Sequence, residues 1–216
     1  MCKGNRMSDG FTEMVDTAQR FFAELAQNNR KDWFEPRKDH YTDMIRKPAE
    51  LMARLLADDL GRAVGQGLQA KVFRLHRDVR FSKDKTPYNT HLHMIWNSPN
   101  TPAALFFGLE PGQLLVGCGI TAFDAAQLVR FRAMVDAAGD DFAALVARGR
   151  LADFGPPPLK RVPAPYDADH RHAALLRRKN LIVTRDLAPG WRGDLVKAIG
   201  QEIAPLLPLY HALNRM

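Results

Sequence analysis

Apolar residues near the start of the chain recur three or four positions apart, which is the spacing of one helix face. Between residues 11 and 25 they are Phe11, Met14, Val15, Ala18, Phe22 and Leu25. We predict a helix that begins at a cap on Ser8 or Asp9 and ends near Gln27. The pair Asn28-Asn29 follows, and short amide side chains favour turns and helix ends.

A second helical stretch is predicted from about residue 35 to residue 60. Pro48 lies inside it, and a proline inside a helix removes a hydrogen bond, so we expect a kink or a restart there. Three glycines, Gly61, Gly65 and Gly67, are expected to end the stretch.

The pattern then changes to strands. Residues 71–81, 90–96, 104–110 and 113–120 form the strand runs, and Pro111-Gly112 joins the last two as a hairpin. Short connections favour antiparallel neighbours. Further helices are predicted at about 124–138, 140–149, 170–179 and 191–203, with NLIVT (180–184) as an edge strand.

Helices on both sides of a run of strands predict an α+β fold. We expect an antiparallel sheet of about four to six strands, with the N-terminal and C-terminal helices packed around it. No linker composition divides the chain, so we predict a frayed tail at 1–9 and a single domain at 10–216.

Composition excludes several classes of protein. No run approaches the about 18 apolar residues of a membrane-spanning helix, so we predict neither such a helix nor a membrane partner. The two cysteines, Cys2 and Cys118, do not suggest a disulfide framework, and a cytoplasmic location is the default. Cys118, in an apolar run, is expected to be a buried, inert thiol. No zinc signature such as CxxC or HExxH is present.

The positive charge is concentrated in two segments. The net charge is +7, and residues 71–88 and 160–179 each contain six Lys or Arg residues against two Asp residues. Such focused charge concentrates anions locally, unless each segment is a solvated, self-paired face.

The first basic segment carries the candidate site. If 71–81 is a strand, Phe73, Leu75, Val79 and Phe81 share a core-facing side. The opposite side then presents Arg74, His76, Asp78 and Arg80, and arginine's fork of donors suits phosphates and carboxylates. The predicted ligand-binding residues are Arg74, Arg77, Arg80, Lys83, Lys85 and Tyr88, with Lys160 and Arg161 as a second wall.

Three chemistries compete at this segment. The first is anion binding by the Arg and Lys residues. The second is metal binding through His76, His91, His93 and Asp78, although we favour histidines satisfied within the fold. The third is acid–base catalysis, in which His91 transfers a proton and Asp78 or Asp84 orients it. No cofactor is identified.

Two other features have open interpretations. Asn28, Asn29 and Trp33 either line a pocket or, as we favour, cap a helix and anchor a turn. Gly117 and Gly119 leave room either for a ligand or close approach of backbone, or for a bend.

Three segments carry a family resemblance: FFAELAQNNRKDWFEPRKDHY (21–41), FRLHRDVRFSKDKTPYNTHL (73–92) and LKRVPAPYDADHRHAALLRRKNL (159–181). The second contains the most specific pattern, FRxxRDxRFSKDKxPY. The chain resembles a widespread family of uncharacterised bacterial and fungal proteins, described as a domain of unknown function. The resemblance implies a single α+β domain and brings no established activity, substrate or cofactor.

The leading hypothesis is a cytoplasmic protein that binds an anionic small molecule bearing phosphate or carboxylate, with enzymatic activity left open. One alternative is a nucleic-acid-binding module, supported by Phe81, Tyr88 and Trp96 near the basic segment. The other is a structural or interaction protein whose basic motif pairs with itself. The sequence does not indicate an oligomeric state.

Overall fold

The computed structural model describes residues 5–80, 82–152 and 155–216, and of residues 5–9 it describes the backbone only. Residues 1–4 of the predicted tail lie outside the described part. The described helices are α1 (Asn5–Gln27), α2 (Lys31–Phe34), α3 (Lys38–Tyr41), α4 (Lys47–Val64), α5 (Ala125–Val146), α6 (Ala173–Leu176), α7 (Leu195–Ile203) and α8 (Leu207–Asn214). The strands are β1 (Gln69–Val72), β2 (Leu92–Asn97), β3 (Ala104–Glu110), β4 (Gln113–Ile120), β5 (Arg150–Leu151) and β6 (Leu181–Asp186).

Helix α1 ends at Gln27, as predicted, but begins at Asn5, before the predicted cap. All six apolar positions that predicted it are buried. Their spacing places them on one stripe of the helix, which removes that stripe from water.

The second helical stretch is interrupted. Short pieces, including a 3-10 turn (Glu35–Arg37) and a π turn (Thr42–Arg46), precede a restart at Lys47. Pro48 lies in the first turn of α4, where a missing N–H costs no helical hydrogen bond. The helix ends at Gly65, which adopts a left-handed conformation (φ 73°) and donates its N–H to the Gly61 carbonyl.

The strands form one antiparallel sheet in the order β1-β2-β3-β4-β6-β5, which confirms the predicted fold class. The first four strands are neighbours in chain order, as a meander requires. β6 is not an edge strand, because β5 pairs outside it with Arg150 opposite Thr184. A strand of two residues has no periodicity that the sequence could reveal.

Contacts divide the chain into two compact units. The first comprises residues 1–96, 106–116 and 186–202, and the second comprises 97–105, 117–185 and 203–216. In the first unit, the buried Trp96 of β2 donates its indole N–H to the Ala53 carbonyl of α4 at 2.8 Å. The signature segment, 73–92, belongs entirely to this unit.

The second unit contains α5, which Asp124 caps as predicted by accepting the Gln127 N–H at 2.8 Å. The predicted division into two helices appears as a kink at Ala138. Gly119 has a left-handed φ of 156°, and a Cβ there would lie 1.9 Å from the Leu181 carbonyl oxygen. Of the two interpretations of these glycines, the structure supports close approach of backbone at Gly119.

Among the described residues, no helix combines the length and the apolarity needed to cross a bilayer.

Candidate functional site

The signature segment reverses direction, but as a loop and not as two long strands. β1 ends at Val72, and farther on, in the described part of the segment, an isolated bridge joins His76 to Tyr88. Hydrogen bonds flank the bridge, from the Arg77 N–H to the Pro87 carbonyl (2.8 Å) and from the Asn89 N–H to the Leu75 carbonyl (2.7 Å). The predicted strand at 71–81 is therefore wrong beyond Val72.

The break after β1 changes which side chains face the core. Val72 and Leu75 are buried, whereas Phe73 is 42% exposed. Two buried positions three residues apart do not fit a strand that alternates at every residue. The prediction that Phe73 seats the segment on the core is wrong. Phe81, its predicted partner, lies outside the described residues.

Arg77 ties the two arms of the loop together. Its Nη1 donates to Asp84 Oδ2 at 2.6 Å, to the Thr86 carbonyl at 3.1 Å, and to the Thr86 hydroxyl. Asp84 also accepts the Thr86 N–H at 2.9 Å. The bond from the Thr86 N–H, followed by those from Arg77 and the Thr86 hydroxyl, lowers the pKa of Asp84 to about 2. These residues hold the loop in one shape.

Two more cations of the loop also have partners within it. Arg80 makes a bidentate salt bridge with Asp78, at 2.9 Å from Nε to Oδ1 and 2.7 Å from Nη2 to Oδ2. Hydrogen bonds from Arg80 lower the pKa of Asp78. Lys85 Nζ donates to the Val79 carbonyl at 2.9 Å.

Arg74 and Lys83 differ from these three cations. Both side chains are exposed, and neither makes a hydrogen bond or an ion pair with the described part of the chain. The Arg74 carbonyl accepts from the Asn89 side chain at 3.2 Å, which anchors its backbone and leaves its guanidinium available.

Tyr88 lies beneath the loop and not on its surface. The side chain is buried, with its ring centroid 4.6 Å from that of Phe34 and 5.0 Å from that of His76. Burial raises the pKa of the Tyr88 hydroxyl. With Trp96 also buried, two of the three aromatics that favoured nucleic-acid binding are unavailable for stacking on bases.

The end of α1 meets the loop through Asn29. Its amide accepts the Tyr88 N–H at 3.0 Å and donates to the Tyr88 carbonyl at 2.8 Å. Asn28 instead donates to the Glu24 carbonyl of its own helix at 3.0 Å. The favoured interpretation, helix capping, therefore holds for Asn28, while Asn29 supports the loop across 59 positions of sequence.

His91 lies with His93 and Glu110, and its described contacts do not include Asp78 or Asp84. The two imidazole rings stack at 4.0 Å and 23°, and His93 Nε2 lies 3.1 Å from Glu110 Oε1. A carboxylate only accepts, so His93 Nε2 carries the hydrogen of this bond. Burial, reinforced by the charge of His93, lowers the pKa of His91 to about 4. Burial also lowers the pKa of His93, against the opposing effect of Glu110. Both rings are therefore neutral bases at pH 7.

Gly108 of β3 makes room for the histidine pair. A Cβ at this position would lie 3.2 Å from His93 Cδ2 and 3.1 Å from a methyl group of Leu115. The absence of a side chain at Gly108 leaves room for the His93 imidazole beside β3.

Lys160 and Arg161, the predicted second wall, belong to the second unit, and both are exposed. Their part in the site stays a prediction. Two surface cavities, of about 620 and 590 Å³, are lined by residues outside 71–93, such as Trp191 in one and Leu51 in the other. Within the described ranges, no group of three or more His, Cys, Asp or Glu side chains is placed to hold a metal ion.

Sequence reasoning missed Asn29 as a support, Glu110 as the partner of His93, and Arg46. Arg46 donates to the Phe73 carbonyl at 2.7 Å and to the Val72 carbonyl at 3.2 Å. Glu110 could have been considered because it ends a predicted strand beside a predicted turn. Nothing in the spacing of Asn29 or Arg46 indicates their partners.

The chain was compared with protein families, curated proteins and solved structures. The profile of the family described as conserved hypothetical protein (DUF2461) matches residues 17–211. No significant match was found among the curated proteins or among the solved structures. Since the match covers nearly the whole chain and includes all three segments of the resemblance, the chain belongs to the DUF2461 family of conserved hypothetical proteins.

Proposed function

We propose that this protein binds an anionic small molecule bearing phosphate or carboxylate, on the surface formed by residues 71–93. The observation that carries the proposal is the division of the cations in the loop. Arg77, Arg80 and Lys85 bind groups of the loop itself, whereas the exposed Arg74 and Lys83 have no hydrogen-bond or ion-pair partner in the described part of the chain.

The cations that bind groups of the loop itself support the proposal because they make the loop rigid. Asp84 and Asp78 orient Arg77 and Arg80, and Asn29 holds Tyr88 from below. A loop that is already ordered loses little conformational entropy when it binds a ligand, so more of the contact energy appears as affinity.

Arg74 and Lys83 support the proposal through their positive charge. A guanidinium presents donors that match two oxygens of a phosphate or carboxylate, and an ammonium adds a point charge. Arg74 precedes the self-paired part of the loop and Lys83 lies within it, and no described carboxylate forms an ion pair with either of them.

A catalytic role for His91 is a second proposal, favoured by its stacking on His93, which is hydrogen-bonded to Glu110. A histidine whose pKa is about 4 is unprotonated at pH 7 and can accept a proton from a bound ligand. His93, which Glu110 orients through a hydrogen bond, stacks on the ring of His91. The partner acid that orients the pair is thus Glu110, in place of the Asp78 or Asp84 suggested by sequence.

The test is a thermal-shift and calorimetric series at low salt with inorganic phosphate, pyrophosphate, citrate and sulfate. Binding to the folded state raises its stability by about 2.7 kcal/mol at a ligand concentration of one hundred dissociation constants. We expect at least one of these anions to bind wild-type protein, and Arg74→Ala/Lys83→Ala to abolish the shift.

The matched control is Arg130→Ala/Lys197→Ala, which removes the same charge at two helical positions outside the loop. It should bind like wild type. Equal losses in both variants would mean that net charge alone attracts the anion. A flat response of wild type to the whole series would refute the proposal and favour a self-paired structural motif.

Lys160→Ala/Arg161→Ala tests the predicted second wall. If these residues contact the anion, affinity falls without loss of stability. Salt dependence then separates a small ligand from nucleic acid, because a nucleic-acid complex releases counterions from many phosphates and weakens steeply with salt.

A further inference from the structure

An exposed aromatic ring and two imidazole rings lie on the same side of the sheet in the first unit. They belong to Phe73, just beyond β1, and to His93 and His91 at the start of β2. Sequence patterning assigned Phe73 to the core, but the side chain is 42% exposed.

The pairing of the two strands places the side chains of Phe73 and His93 on one face. The Phe73 N–H donates to the His93 carbonyl at 2.9 Å, which sets Phe73 opposite His93. Opposite residues of an antiparallel pair project to the same face. In that register Val72 lies opposite Met94, and both are buried, so Phe73 and His93 project away from the core.

The backbone that carries the exposed ring is held in place. Arg46 binds the carbonyls of Val72 and Phe73, and Glu50 holds the Arg46 guanidinium in turn. Lys71 Nζ lies 5.5 Å from the centroid of the Phe73 ring. Cationic groups beside exposed aromatic rings are a feature of proteins on which nucleic-acid bases stack.

The histidines extend this surface. Their rings stack 4.0 Å apart, and Gly108 leaves room for the His93 ring beside the sheet. Because burial keeps them uncharged at neutral pH, they present flat faces to a planar ligand without repelling the cations that would hold an anion.

We propose that the anionic ligand is a nucleoside phosphate, whose base stacks on the ring surface formed by Phe73, His93 and His91. Arg74, a cation of the proposed anion site that directly follows Phe73, holds the phosphate together with Lys71, which lies near the Phe73 ring. This inference rests on the proposed function for the phosphate and adds the base. A free nucleotide and one nucleotide of a single strand offer the same chemistry.

The test compares AMP, ribose 5-phosphate and adenosine by calorimetry at constant ionic strength. Stacking of a base on an aromatic side chain strengthens binding by about 5- to 150-fold. AMP should therefore bind wild-type protein at least about fivefold more tightly than ribose 5-phosphate. Phe73→Leu should remove this preference and leave the affinity for ribose 5-phosphate unchanged, and Phe73→Trp should retain it.

The control is Val129→Ala, which alters an exposed apolar side chain in the second unit and should change no affinity. Thermal unfolding of each variant confirms that it is folded.

Equal affinities of wild type for AMP and ribose 5-phosphate, or an unchanged preference in Phe73→Leu, would overturn the nucleoside proposal and leave anion binding standing. Binding of adenosine but of neither phosphate would overturn the anion proposal and retain the ring surface. Binding of none of the three would overturn the nucleoside proposal.

A single-stranded oligonucleotide forms the last arm and distinguishes the two sources. If the physiological ligand is a strand, the oligonucleotide binds more tightly than AMP, and its affinity falls more steeply with salt. If the ligand is a free nucleotide, the oligonucleotide gains nothing over AMP. In both cases Phe73→Leu weakens binding.

Discussion

The side chain of Asn29 replaces a strand as the partner of Tyr88. It accepts the Tyr88 N–H at 3.0 Å and donates to the Tyr88 carbonyl at 2.8 Å, so it satisfies both backbone groups of a residue in the signature loop. A buried backbone group without a partner costs free energy comparable to a lost hydrogen bond. The end of α1 therefore contributes directly to the order of the loop that carries the proposed site.

Substitution of Asn29 tests this contribution. Asn29→Ala leaves both backbone groups of the buried Tyr88 without their partner, and we expect a loss of about 1–3 kcal/mol in the free energy of unfolding by urea. Asn28→Ala is the matched control, because the Asn28 amide binds only an exposed carbonyl of α1. It should cost less than about 0.5 kcal/mol. Similar losses in the two variants would contradict a special role for Asn29.

The pKa of Asp84 tests the hydrogen bonds that join Asp84 to Arg77 and Thr86 across the loop. Its carboxyl should titrate near pH 2 in an NMR experiment, below the ordinary 3.8, because Thr86 and Arg77 stabilise the charged form. A folded pKa below the unfolded one means that Asp84 stabilises the fold above about pH 4, and that this contribution disappears as the pH falls from 3.8 through about 2.

Arg77→Gln separates the effect of Arg77 on the pKa of Asp84 from the effect of the Thr86 N–H. It should raise the midpoint of Asp84 only in part, since the bond from the Thr86 N–H is the larger cause and remains. Asp84→Asn should lose stability less steeply than wild type over that range of pH. A titration midpoint of 3.8 for Asp84 in wild-type protein would show that these hydrogen bonds do not form in solution.

His91 also titrates below its ordinary range, but for a different reason. Its folded pKa, about 4, lies below its ordinary value of 6.5, so the unfolded state binds a proton more readily between these values. The fold should therefore lose stability as the pH falls from 6.5 toward 4, and His91→Gln should lose less. Urea unfolding at several pH values measures the difference.

The same histidine can be followed by NMR. His93→Gln removes the neighbouring positive charge, but burial remains the larger cause, so the pKa of His91 should rise without reaching 6.5. A midpoint of 6.5 for His91 in wild-type protein would show that neither burial nor His93 lowers its pKa.

Two glycine substitutions should change stability in opposite directions. Gly119→Ala places a Cβ 1.9 Å from the Leu181 carbonyl oxygen, in a left-handed conformation, so the backbone of β6 must move. We expect a loss of at least about 3 kcal/mol by urea unfolding. Gly200, inside α7, has open space where a Cβ would lie, with no atom within 4 Å, and Gly200→Ala should gain up to about 1 kcal/mol from helix propensity. A mild effect at Gly119 would contradict the close approach of β4 and β6.

Several elements were predictable because their cause is local. The apolar stripe of α1, the hairpin turn at Pro111-Gly112 and the cap at Asp124 each depend on residues a few positions apart. The break at Ala138 was also predicted. The two-residue strand β5 was not, because its only cause is pairing with β6, about 30 residues away.

The sequence by itself determined the fold class and the location of the basic loop, since periodicity and charge are properties of neighbouring residues. Only the tertiary structure decided what each side chain does there. It paired Arg77 with Asp84, gave Arg74 no hydrogen-bond or ion-pair partner among the described residues, and turned Phe73 outward. It also joined His93 to Glu110, which is 17 positions away. Such contacts depend on the register of paired strands and on where a strand breaks, and a shift of one residue reverses which face each side chain occupies.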